Sequence, residues 1–260
     1  MASFMIDSMN GNYQVLGPDE QGFVASTGTL YVLDFPGVYL EGDRSVLTVL
    51  GTIVSNSSMA VSAFNCADSV VTVGAAGSLI STVPYGAGLN GVLEGDFTLR
   101  NAGTILGGDG VRFYAQGDTG GNIWFTNTGT ISAAGTESLS AVHLYLFANY
   151  RAHISNAGTL DGATTGGAIN SGGPGSVTLN NAGQILGDIN LSTGADRVTI
   201  SGLVMGNVDL GDGFNEFNLA GGTVTGNLTC GSGADSVTIS GLKRFAFILN
   251  QNSPQELGDF

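Results

Sequence analysis

A glycine, then a small polar residue, then an aliphatic one recurs along this chain at a nearly constant interval, and this beat limits the fold more than any other feature. It appears as Gly28-Thr29-Leu30, Gly51-Thr52-Ile53, Gly77-Ser78-Leu79, Gly103-Thr104-Ile105, Gly129-Thr130-Ile131, Gly158-Thr159-Leu160 and Gly183-Gln184-Ile185. The steps between these glycines are 23, 26, 26, 26, 29 and 25 residues. Gly202, Gly222 and Gly241 then continue at steps of 19, 20 and 19. A period of this length is too long for one hairpin and suits a unit stacked on copies of itself.

Within one period the pattern reads as strand, turn, strand, turn, strand. After Gly103 come Thr104-Ile105-Leu106, a turn at Gly107 to Gly110, Val111 to Ala115, a turn at Gly117 to Gly121, and Ile123 to Thr126. β-Branched residues fill the strands. Glycine and asparagine occupy turns, where a positive φ is the expected reason for them. Helical periodicity over ten residues or more is hard to find. The expectation is an all-β, right-handed parallel β-helix of about nine coils, three-faced, narrowing to two-strand coils near the C-terminus. Residues 1–27 form an N-terminal end segment, 28–186 carry the longer coils, 187–244 the coils of 19–20 residues, and 245–260 a tail.

Two columns set the register. Asn101, Asn127, Asn156 and Asn181 each stand two residues before a landmark glycine, so their amides should lie above one another and hydrogen-bond along the stack. Ile105, Ile131, Leu160 and Ile185 form the aliphatic column beside them, continuing upward from Ile53 and Leu79. The coil from Gly129 to Gly158 holds extra residues, and its Leu139 to Tyr150 stretch reads either as core packing or as an exposed aromatic patch that marks a contact site.

Charge excludes some partners. Twenty-one acidic residues stand against seven basic ones, a net charge of −14. No basic stripe is available to displace counterions from phosphate, so nucleic acid and anionic lipid are unsuitable partners, whereas cations such as Ca²⁺ are favoured. No run of about 18 apolar residues exists, so no membrane span is expected. Met1 to Asp7 lacks the basic start and long apolar core of a secretory signal. Either a signal was removed, or export uses another route, or the protein stays inside. Cys66 and Cys230 lie about seven turns apart, roughly 34 Å at about 4.8 Å per turn. That exceeds the ~7 Å a disulfide can span, so no internal bridge is expected.

The units Asn-Ala-Gly-Thr-Ile, Asn-Thr-Gly-Thr-Ile and Asn-Ala-Gly-Gln-Ile, over roughly residues 95–190, resemble the β-helical passenger repeats of bacterial autotransporter adhesins. The resemblance implies a long secreted β-helix with an adhesive or scaffolding role, located outside the cell or on its surface. It does not extend to that family's membrane barrel. The later turns, Gly231-Ser232-Gly233-Ala234-Asp235 and Gly211-Asp212-Gly213-Phe214-Asn215, resemble degenerate repeats-in-toxin nonapeptides. That resemblance implies Ca²⁺ held by oxygen ligands between turns, with Asp196, Asp212, Asn215 and Asp235 as candidates. The alternative for these residues is a Gly-Asp turn whose side chain caps backbone amides. It also implies a C-terminal export signal, for which the tail after Arg244 is the available segment.

Catalysis on such a scaffold would show as acids clustered on one lateral groove. The candidates are Asp109, Asp118, Glu137 and Asp161, with Arg112, Arg151 and His143 as partners. Acids on turns are also what solvation of an acidic solenoid requires. No nucleophile elbow, phosphate loop or zinc spacing is present. The two ends are more informative. A stack of coils ends in unpaired strand edges, and here Phe4, Met5, Ile6, Met9, Tyr13 and Val15 at one end, and Phe245, Phe247, Ile248 and Leu249 at the other, supply few charges to cover them. The sequence therefore predicts a non-enzymatic extracellular structural protein that associates with copies of itself head to tail. The alternatives are a monomeric adhesin or glycan-binding module, and a polysaccharide lyase or hydrolase.

Overall fold

The computed structural model describes residues 3–134 and 139–240. These form three parallel sheets of 11, 10 and 10 strands, in which each coil gives one strand to each sheet. The chain is thus a three-faced parallel β-helix of about ten coils, and the described residues contain no helix. One coil illustrates the rest: Phe97–Asn101 lies in the first sheet, Thr104–Gly107 in the second and Asp109–Ala115 in the third.

The stack begins earlier than the glycine beat does. Phe4–Ile6, Met9–Asn10 and Gln14–Leu16 pair in parallel with the next coil and make a complete first turn. At the other end the shorter coils keep all three faces, against the expected narrowing to two strands. Their second and third strands shrink to pieces such as Thr223–Val224 and Leu228–Thr229, which still pair in register. Six or seven residues are lost per coil by trimming strands and turns, because losing a face would open the core to water.

The interior is built from columns. Ile53, Leu79, Ile105, Ile131, Leu160, Ile185 and Val204 are consecutive partners in the second sheet, and all are fully buried. Each such side chain contributes about 1.5–3 kcal/mol before conformational entropy is subtracted. Because each coil pairs along its strands with its immediate neighbours, stability adds largely coil by coil.

The asparagine column borders this core. Asn101 Nδ2 donates to Asn127 Oδ1 at 2.8 Å, Asn127 Nδ2 to Asn156 Oδ1 at 2.8 Å, and Asn156 Nδ2 to Asn181 Oδ1 at 2.7 Å. The same amides donate to the Thr130, Thr159, Gln184 and Leu203 carbonyls, all in the second sheet. The ladder therefore pins the corner between the first and second sheets. Above and below it the position is Val73 and Ile200, which are buried and apolar.

The landmark glycines serve a purpose other than the expected one. None of Gly51, Gly77, Gly103, Gly129, Gly158, Gly183 and Gly202 has a positive φ. At each of them an added Cβ would fall under 3.0 Å from a backbone carbonyl of the preceding coil. The corner is where successive coils approach most closely, and only a residue without Cβ fits. Positive φ values belong instead to other turn glycines such as Gly166 and Gly211, and to Asp19, Arg44, Asn65 and Asp68.

Strand parity divides the aromatic stretch. In Ser140–Leu146 the side chains of Val142, Leu144 and Leu146 point into the core, while Tyr145 is exposed. Tyr150 is fully buried and donates from its hydroxyl to the Gln116 carbonyl at 2.9 Å. The extra length of this coil enters at 134–139, where the previous coil needs only Gly108. Cys66 and Cys230 are buried and free, and burial pushes both thiols up to about 11.

Candidate functional site

Three places gather the residues singled out in the sequence. The first is the N-terminal edge. Phe4–Ile6, Met9–Asn10 and Gln14–Leu16 are the outermost strands of their sheets, and no described residue pairs with their outer side. Alternation turns Ile6 into the core and lays Phe4 against it, so of Phe4, Met5 and Ile6 only Met5 is exposed. Met9, at 78% exposure, Tyr13 and Val15 join it. Beside them a cleft of about 530 Å³ is lined by Met9, Tyr13, Tyr31, Leu33 and Phe35, with the Tyr13 and Phe35 rings 5.1 Å apart. Asp7 is the only charged residue from 3 to 16. Phe245, Phe247 and Ile248 lie outside the described residues.

The second place is the column Asp196, Asn215, Asp235. Asp196 Oδ1 accepts from the Val177 amide at 2.6 Å, Asn215 Oδ1 from the Asp196 amide at 3.0 Å, and Asp235 Oδ1 from the Asn215 amide at 2.9 Å. Each side chain thus holds a backbone N–H of the coil before it. Asp212 stands apart on the exposed side of its turn, accepting from the Ser232 amide and hydroxyl. No three acidic, His or Cys side chains converge among the described residues. The four residues proposed for Ca²⁺ are therefore split between an internal capping column and a surface turn.

Burial pushes the Asp196 carboxyl up to about 6, against the opposing bond from Val177. An unfolded aspartate titrates near about 3.9. The folded chain holds this proton longer, so the site's contribution falls as pH rises from about 4 to about 6, by about 3 kcal/mol, and is level above that. Asn215 occupies the same position one coil on, with its Nδ2 donating to the Gly211 carbonyl. Asp196→Asn should therefore raise stability above pH 6 and flatten the dependence between pH 4 and 6. Denaturant titrations at pH 4.5 and 7.5 measure both effects, and a variant that loses stability at pH 7.5 would show that the charged form is needed.

The third place concerns the candidate acids. Asp109 is fully buried at the start of its third-sheet strand and accepts from Arg112 Nε at 2.6 Å and from the Ser140 amide at 2.7 Å. His143 Nδ1 lies 3.7 Å from Asp109 Oδ2. Burial holds this imidazole below its ordinary value, Asp109 opposes the shift and Arg112 adds to it. The other candidates do not join them. Arg151 lies in the first sheet, Asp161 in the second, where it caps the Ala163 amide, and Asp118 in the turn after Ala115. Glu137 lies outside the described residues. A single buried carboxylate neutralised by arginine is not the open pair of carboxyl groups that glycoside hydrolysis requires.

The sequence named Arg112, His143 and the aromatic stretch containing Tyr145 separately, without showing that they share the outer face of the third sheet with Asn90, Asn170 and Asn190. Asn90, Arg112, His143, Asn170 and Asn190 are register partners there, one per coil. Phe64, Val92, Tyr114, Tyr145 and Gly172 form the parallel column two residues on. The steps along the first column are 22, 31, 27 and 20 residues, too uneven for a constant interval to reveal it in the sequence. Compared with protein-family models, with curated proteins and with solved structures, the chain matches none.

Proposed function

We propose that this chain is a non-enzymatic extracellular structural protein, a β-solenoid whose copies join head to tail. The observation that supports the reading is the first described coil, whose three strands pair with no described residue on their outer side, with exposed Met5, Met9, Tyr13 and Val15 and with Asp7 the one charge in residues 3–16. Natural edges are normally blunted by charge, proline or a covering element. A second copy that continues the parallel ladder with the same coil rise satisfies the edge hydrogen bonds and removes the apolar side chains from water. Such a contact is heterologous and propagates into a filament when it does not close.

Electron microscopy and light scattering of the purified chain test this. Extended particles that lengthen with concentration are expected. Met5→Glu with Met9→Glu should raise the concentration needed for assembly by about tenfold or more, since a carboxylate would have to be desolvated at the joint. The particles should persist in chelator, because Asp196 and Asp235 already hold backbone amides. Strictly monomeric wild-type protein under every condition would refute the proposal.

A further inference from the structure

We infer that the outer face of the third sheet binds a neutral, extended glycan whose sugar units run along the solenoid axis. Two features are built into that face. The first is an aromatic platform. Tyr114 and Tyr145 stand in adjacent coils with ring centroids 6.4 Å apart, and Phe147 lies 6.0 Å from Tyr145. Tyr145 is 43% exposed, and its ring lies against the backbone of Gly172, where an added Cβ would sit 3.1 Å from it. Glycine at 172 thus lets the ring lie along the sheet and present a broad face to solvent. The apolar face of a pyranose packs on such a surface.

The second feature is a polar cleft of about 510 Å³ beside the platform, lined by Ser140, Thr164, Thr165, Asn170, Asp188 and Asn190. Asn170 and Asn190 are partners in neighbouring coils, half-buried, and their side-chain amides are not engaged by any described residue. The Ser140 hydroxyl is buried at 1% exposure and has no hydrogen-bond partner among the described residues. A buried hydroxyl normally has a partner. Each amide offers both a donor and an acceptor, the set needed to bond two adjacent sugar hydroxyls at once. Stacked amides repeat at the coil rise of about 4.8 Å, close to the advance of one hexopyranose in an extended β-linked chain.

Charge selects a neutral polymer. Arg112 is the only cation in the polar column, and its guanidinium is already taken by Asp109 and the Tyr85 carbonyl. Asp188 rims the cleft, and the whole chain carries −14. Uronate or sialate chains would meet repulsion without an unpaired cation to offset it.

Titration calorimetry with the full chain and the hexasaccharides of β-1,4-linked glucose, mannose and xylose, with polygalacturonate as the acidic comparison, tests the inference. At least one neutral hexasaccharide should bind, and polygalacturonate should bind more weakly. Tyr145→Ala and Asn170→Ala should each weaken binding by about tenfold or more, while Trp124→Ala, on the first sheet, leaves it unchanged. Both target side chains are at least partly exposed, so the variants should melt with the wild type, which calorimetry of unfolding verifies. Three results would overturn the inference: no binding of any neutral hexasaccharide at millimolar concentration, stronger binding of polygalacturonate, or wild-type affinity in Tyr145→Ala.

Discussion

Replacing Gly129 by alanine is expected to destabilise the protein by about 3 kcal/mol or more. The new Cβ would fall under 3.0 Å from the Gly103 carbonyl and from the backbone of Ala102, one coil earlier. Neither neighbour can move alone. The Gly103 carbonyl accepts from the Thr130 amide at 2.8 Å, and Thr130 belongs to the second-sheet ladder. Relief would require the two coils to separate at a corner that the sheets hold at one strand spacing. Gly166→Ala is the control. Gly166 has a φ of +88° and open space around its Cβ position, so the change should cost only the left-handed conformation, about 1 kcal/mol. Urea midpoints of the two variants, compared at equal m-value, decide the matter. A milder effect at Gly129 than at Gly166 would mean that the corner is looser than described.

The second large effect is expected in the asparagine ladder. Asn127→Val should cost about 3 kcal/mol, since it leaves the Asn101 amide without its acceptor and the Asn156 oxygen without its donor, both in the protein interior. The loss comes mainly from these abandoned partners rather than from the side chain removed. Valine itself fits the column, because Val73 continues it beyond Asn101. Changing Asn101, Asn127, Asn156 and Asn181 together to valine should therefore cost well under four times the single change. Additive losses would show instead that each asparagine acts through its own turn carbonyl. Thermal unfolding of the single and quadruple variants separates these outcomes.

The two predictions rest on different kinds of legibility. The ladder and the aliphatic column could be read from spacing, because like positions in a coiled chain must stack and the interval between them is visible as a count. Gly129 could be read as a marker but not understood. A glycine required by positive φ and one required by a close neighbour look alike in a sequence, and only the position of the preceding coil tells them apart. The aromatic stretch shows a similar limit. Tyr145 and Tyr150 lie in strands of different sheets, one on the surface and one in the core, and the turn between those strands prevents alternation from being counted from one to the other. Asp196, Asn215 and Asp235 were seen as a repeating set, but whether their oxygens face a cation or a backbone amide depends on which coil they lean toward.

By itself the sequence determined that the chain coils, how long each coil is and which residues of the regular columns face inward, because burial imposes its period directly on residue type. The tertiary structure alone decided what the outer surfaces can do. Asn170 meets Asn190, Tyr145 lies over Gly172, and His143 approaches Asp109 only because coils of unequal length are brought back into register by the sheets. Outward positions carry no burial constraint, so their composition is free to vary, and their meaning appears only when the stacking places them side by side.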